Sequence, residues 1–259
     1  MSYKFFHLHE EDSVGFVEID RPPVNAFNLE AMKELGAAIE EVGSEKGIKA
    51  VVLSGKGKTF SAGADINMLQ YSDVDYLMGF VDLCQKNLAK IEALPKIVIA
   101  AIEGHCVGGG LELALACDLR FMAQGDGKVG LPELRLGIIA PWGTTYRLSK
   151  LIGKSRAIDL LISGRLMDAE EAHKIGIVDR IFPSGEIMSQ AIEYAKGVAS
   201  GALSAIGSVK KCINEAADME FQHALKLEKE CMERLLQTGD FKEGVTAFLE
   251  KRTPEFKGE

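Results

Sequence analysis

The residues best equipped for chemistry lie in GHCVGGGLELALACD, residues 104–118. Gly108, Gly109 and Gly110 stand together, and Glu112 follows in an otherwise apolar run of Leu111, Leu113, Ala114, Leu115 and Ala116. A helix N-terminus presents unpaired backbone N–H groups and the positive end of a dipole. Glycine there leaves room for a ligand atom, so a strand–glycine–helix junction is a ready anion site. A buried carboxyl beside such amides suits general acid/base work next to an oxyanion. Taken singly, the glycines also read as a tight turn, and Glu112 as a first-turn acid that complements the dipole. The spacing fits neither G-x-G-x-x-G nor G-x-x-x-x-G-K-[ST], so no nucleotide-phosphate cradle is expected.

Two further stretches carry matching chemistry. TFSAGADI, residues 59–66, places small residues around Gly63 and offers the backbone N–H of Ala64 as a second donor. Two donors from separate loops are what a developing enolate or tetrahedral oxyanion requires, each worth about 3 kcal/mol. Ser61 is no nucleophile of the G-x-S-x-G kind, because position 59 is Thr. VGLPEL, residues 129–134, presents Glu133 behind Pro132, whose fixed φ helps aim the next side chain. Two carboxyls could share one water, one accepting a proton while the other donates. His7 and His9 read as part of a solvated N-terminal strand, and with no H-E-x-x-H no metal site is expected. His105 reads as a packing or pocket residue, and Trp142 as core or pocket wall.

The elements that must hold these residues alternate in type. Residues 14–19, 49–55 and 96–104 read as strands. Leu29, Met32, Leu35, Ile39 and Val42 have helical spacing, and a second helix over 76–94 stops before Pro95. TFSAGADI reads as a loop, and 118–123 and 129–134 as short strand pieces. From about residue 144 the pattern is mostly helical, with helices over 186–199, 202–217 and 219–237. This order predicts an α/β core with crossover helices.

The 259 residues suffice for a full core, and 47% hydrophobic with 26% charged residues is ordinary for a globular chain. A net charge of −8 makes nucleic acid an unexpected partner. No apolar run reaches membrane-spanning length. Five cysteines without a C-x-x-C pair suit a reducing compartment, with the cytosol expected.

The ordered motifs resemble the enoyl-CoA hydratase/isomerase (crotonase) superfamily. They are FSAGADI (60–66), AAIEGHCVGGGLELALACDLRF (100–121), GLPELRLGI (130–138), EAHKIGIVDRIFP (171–183) and FLEKRTPEFKGE (248–259). The resemblance implies an α/β spiral of ββα units over residues 1–200. It implies a helical region over 201–259 that builds trimers, or hexamers from two trimers, and covers the CoA site. It implies an acyl-CoA thioester substrate, with CoA part of the substrate and no separate cofactor. The family's oxyanion amides fall on Ala64 and Gly109, and its two hydratase glutamates on Glu112 and Glu133. Ala62, Ala64, Asp65, Ile66 and Asn67 would lie along the CoA moiety with Gly109 and Trp142, while Phe248 and Lys251 would approach the CoA of a neighbouring subunit. Hydration of a 2-enoyl-CoA is the implied reaction. A 3-enoyl to 2-enoyl isomerase, other acyl-CoA chemistry, and a non-catalytic or RNA-binding role are the alternatives. The chain departs from the family at Asn67, where hydratases often carry lysine. It departs again at APWGTTYRL (140–148), where P-G-x-G-G-T-Q-R-L is usual.

Overall fold

Alternation along the strands decides the architecture. The computed structural model describes residues 3–258. The chain begins with β1 (Phe6–Glu11), β2 (Val14–Ile19) and α1 (Leu29–Ser44), then β3 (Ala50–Gly55), β4 (Thr59–Ser61), α2 (Ile66–Tyr71) and α3 (Val74–Ala93). Next come β5 (Ile97–Ile102), β6 (His105–Val107), α4 (Gly109–Ala116), β7 (Leu119–Ala123), β8 (Val129–Gly130) and a 3-10 turn, Glu133–Leu136. The rest is α5 (Thr144–Ile152), α6 (Lys154–Ser163), β9 (Leu166–Met167), α7 (Ala169–Ile175), β10 (Arg180–Phe182) and four helices. These are α8 (Ile187–Ala199), α9 (Leu203–Ala216), α10 (Phe221–Leu235) and α11 (Gly239–Glu250).

The strands form a six-stranded sheet, β1-β2-β3-β5-β7-β10, and a four-stranded sheet, β4-β6-β8-β9. Successive passes of the chain place β3, β5 and β7 in the first and β4, β6 and β8 in the second, which makes the spiral of ββα units. Ladders are parallel except for β1–β2 and β8–β9. Successive side chains of a strand point to opposite faces. On one face of the large sheet Val51, Leu53, Val98, Ala100 and Ile102 join the main core with α1, α3 and α4. On the other, Ala50, Val52, Ile99 and Ala101 pack under Ile187, Ala191 and Ala195 of α8. Burial on both faces explains why these strands read as continuous apolar runs.

Local signals set the helix starts. The Asn28 side chain accepts from the Ala31 N–H at 2.9 Å at the head of α1. Asp73 does the same for Tyr76 at 2.8 Å at the head of α3. TFSAGADI, expected as a loop, instead holds β4 and the start of α2. Of VGLPEL only Val129–Gly130 is strand, because Glu133 opens the 3-10 turn. Helix α11 was not separately expected: Gly239 and Gly244 weaken its local preference, and the Thr238 cap to the Phe241 N–H (3.1 Å) marks its start.

Helix α9 is tied to the spiral by one cation. Lys210 is buried, and its Nζ donates to Asp118 Oδ2 (2.8 Å) and to the carbonyls of Lys96 (3.0 Å) and Ile91 (3.1 Å). Among the described residues no helix is long and apolar enough to cross a membrane.

Candidate active site

Two loops, each leaving a strand of the small sheet, meet edge to edge. Gly108 turns the chain from β6 into α4 at φ 58°, ψ −130°, a conformation that suits glycine. Its N–H donates to the Gly130 carbonyl at 2.9 Å, and its own carbonyl accepts from Glu112 N–H at 3.0 Å. The Gly109 N–H opens the helix and has no acceptor among the described residues. In the other loop, buried Ser61 donates to the Asn25 carbonyl (2.7 Å) and accepts from the Gly63 N–H (3.0 Å). Phe27 then brackets Ala64: its N–H donates to the Gly63 carbonyl (2.7 Å) and its carbonyl accepts from the Asp65 N–H (2.8 Å). In a parallel bridge this leaves the Ala64 N–H turned away from Phe27, and it too has no acceptor among the described residues. The loops touch: a Cβ on Gly110 would lie 2.3 Å from the Ser61 carbonyl oxygen.

Helix α4 is buried along its whole length, Glu112 included at 1% exposure. Glu112 Oε1 accepts from the Trp142 N–H at 2.7 Å and from the Thr144 hydroxyl at 2.6 Å. Burial pushes its pKa up to about 7, against the pull of those two donors. The charge of Glu133 raises it further and that of Arg147 lowers it. The Trp142 ring is also buried. It meets Phe80 edge-on at 5.7 Å and Phe27 at 6.1 Å, and it lies so close to Gly109 that a Cβ there would be 2.4 Å from it. Trp142 therefore packs beneath the glycine turn while its backbone holds the acid.

Glu133 arrives from the other side. It opens the 3-10 turn behind Pro132 and is half-buried. A Cβ on Gly108 would lie 3.0 Å from Glu133 Oε1. Glu133 Oε2 is buried without a hydrogen-bond partner, and burial raises the pKa of the group. A carboxyl oxygen buried without a protein donor is poised for a ligand.

The remaining sequence candidates divide. Ala62 lies in the same loop, its N–H on the Val24 carbonyl at 3.0 Å. Asp65 caps α2, accepting from the Asn67 N–H (3.0 Å) and pairing with Arg21 (2.7 Å), which pulls its pKa down. Ile66 and Asn67 face solvent beside it. Phe248 and Lys251 are not brought to this site within one chain. Phe248 is 83% exposed on a groove of about 530 Å3 lined by Met232, Leu235 and Phe241, and Lys251 ends α11 at φ 57°. Sequence reasoning missed the anchoring of Glu112 by Thr144 and of the Ala64 loop by Ser61, Asn25 and Phe27. The departure at APWGTTYRL was the one local signal for the first.

Residues 9–259 match the family model described as enoyl-CoA hydratase/isomerase. The chain is 37% identical to a short-chain-enoyl-CoA hydratase of Clostridium acetobutylicum, covering 96% of this chain and 95% of that one. It is 35% identical to a crotonyl-CoA hydratase of Syntrophomonas wolfei, covering 99% of each. Among solved structures, an enoyl-CoA hydratase of Geobacillus kaustophilus superposes with a TM-score of 0.97 at 41% identity, covering 100% of this chain and 98% of that one. With the family's α/β spiral, its glycine turn and matches along nearly the whole length, this chain belongs to the enoyl-CoA hydratase/isomerase family.

Proposed function

We propose that the protein hydrates a 2-enoyl-CoA thioester reversibly to a 3-hydroxyacyl-CoA. The observation that carries the reading is the pairing of two carboxyls of raised pKa, Glu112 and Glu133, at a glycine turn beside the acceptor-less amides of Ala64 and Gly109. The thioester oxygen accepts from both amides, which draws electron density from the alkene and makes C3 electrophilic. A water held between the acids bonds C3 through its oxygen, and its proton passes to Glu112, whose Oε1 already accepts two donors and so favours the ionised form. The alkene electron pair moves to C2, with its charge shared by the thioester oxygen. Glu133 delivers its proton to C2, and a proton exchange between the acids resets the pair. CoA is part of the substrate, and the residues described need no further cofactor for these steps.

The names of the relatives support the same reading. Isomerisation of a 3-enoyl chain needs a single acid/base group, so the presence of two favours hydration. The exposure of Phe248 (83%) and Leu249 (75%) supports a homotrimer, or a hexamer of two trimers, built through residues 201–259. In it Phe248 and Lys251 reach the acyl-CoA of a neighbouring spiral formed by residues 1–200. Five free cysteines fit a cytosolic setting, without nucleic acid or membrane as partner.

The test is loss of the conjugated thioester absorbance of crotonyl-CoA. The expected result is rapid loss, cut about 10²–10⁴-fold by Glu112→Gln or Glu133→Gln. Conversion of a 3-enoyl-CoA without hydration would assign the isomerase role instead. Inertness to both, with RNA retained on a gel, would assign a binding role.

A further inference from the structure

We propose that Thr144 is a positioning residue for Glu112, its hydroxyl combining with the Trp142 amide to occupy Oε1 and leave Oε2 as the one oxygen that exchanges protons with substrate. This rests on the hydratase reading above. A carboxylate oxygen has two lone-pair sites. At Oε1 both are taken, by the Trp142 N–H (2.7 Å) and the Thr144 hydroxyl (2.6 Å), while Oε2 has no partner among the described residues. A proton carried by Glu112 therefore sits on Oε2. The two donors come from one short segment at the head of α5, so they also fix the plane of the carboxyl.

Thr144 is 0% exposed and acts through the acid. It stands within APWGTTYRL, between Trp142, which supplies the other donor to Oε1, and Arg147. The other groups that act electrostatically on Glu112 are few. Glu133 of the 3-10 turn raises its pKa, and Arg147 of α5 lowers it while forked onto Glu92 of α3 at 2.7 Å through two nitrogens. Cys84 of α3 is a buried thiol pushed up by burial and by Glu112 itself, and it stays neutral. None of them touches Oε1. Removing the hydroxyl therefore isolates one bond, and because that bond favours the ionised form, its loss raises the protonation midpoint of Glu112.

The experiment compares full-length wild type with Thr144→Val, Thr144→Ala and Thr144→Ser, all checked by thermal unfolding. Isotope-edited infrared titration of the carboxyl, assigned by its loss in Glu112→Gln, reads the midpoint without substrate. The pH dependence of kcat on crotonyl-CoA reads its consequence. Val and Ala should raise the infrared midpoint by about one pH unit. They should move the acidic limb of kcat by the same amount and leave KM within about twofold, and Ser should restore both. Unmoved midpoints in Val and Ala, or a shift that Ser does not restore, overturn the proposal. A midpoint that moves as stated in a protein that hydrates no enoyl-CoA sinks the hydratase reading instead, and Thr144 then remains the residue that sets the protonation of Glu112.

Discussion

Gly63 stands against the amide of Gly109: a Cβ on Gly63 would lie 2.6 Å from the Gly109 nitrogen and 3.0 Å from the Val107 carbonyl oxygen. Gly63 also has φ +88°, where a side chain is strained. This contact sets the spacing between the Ala64 and Gly109 amides. Gly63→Ala is expected to push the loops apart and to lower kcat on crotonyl-CoA about 10²-fold or more, the scale of losing one oxyanion donor. Steady-state kinetics on the folded variant check it. Activity within a few-fold of wild type would show that the loop spacing does not matter to turnover.

Gly109 is constrained from below. An added methyl would lie 2.4 Å from the Trp142 ring. Gly109→Ala should destabilise the protein by about 1–3 kcal/mol through overpacking. Combined with Trp142→Leu, it should cost less than the sum of the single changes, because the smaller side chain vacates the contested space. Urea unfolding of the four species gives the coupling, and strict additivity would place the clash elsewhere.

Burial of Glu112 couples stability to pH. Burial holds its pKa up at about 7 in the folded protein, above the ordinary value of 4.5, so the native state binds the extra proton between these values. Stability therefore falls as pH rises from about 4.5 through 7, by at most about 3 kcal/mol for this group. Glu112→Gln keeps an acceptor for Trp142 and Thr144 and removes the charge. Its stability relative to wild type should improve from pH 5 to about pH 7 and level off above that in denaturant titrations. A difference that does not vary with pH contradicts the raised pKa.

The Lys210–Asp118 pair joins α9 to the spiral through a buried charge. Burial raises the pKa of Asp118 while Lys210 pulls it down. Lys210→Met removes the cation and leaves the Val98 N–H (2.8 Å) as the donor to Asp118 Oδ2, at a cost of about 3–5 kcal/mol at pH 8. The loss should be smaller at pH 5 than at pH 8, because burial and the missing cation both favour the protonated, uncharged acid. Thermal unfolding at the two pH values checks the sign, and equal losses at both would assign the cost to packing alone.

Phe248 and Lys251 test the assembly proposed above. Replacing both with alanine should raise KM for a CoA thioester several-fold while kcat changes little, since neither borders the acids in one chain. An unchanged KM in an unchanged oligomer would leave the tail without a role at the site.

Much of the molecule is written locally in its sequence. Leu35, Ile39 and Val42 repeat at helical spacing and are buried on α1, and residues 14–19, read as a strand, form β2 with those bounds. Glycines followed by Glu112, and Pro132 followed by Glu133, were visible as candidate chemistry because residue type and near-neighbour spacing are properties of the chain itself. Other features required the assembled sheets. Thr144 lies 32 residues from the acid it holds, and nothing in either segment specifies the other. The meeting of Gly63 with Gly109, the seat of Trp142 beneath that glycine, and the lack of a partner for Glu133 Oε2 follow from strand order and loop crossing. Periodicity reports which face of an element is buried. It carries no information on which distant element will cover that face, and at this site the covering residues decide how each acid is held.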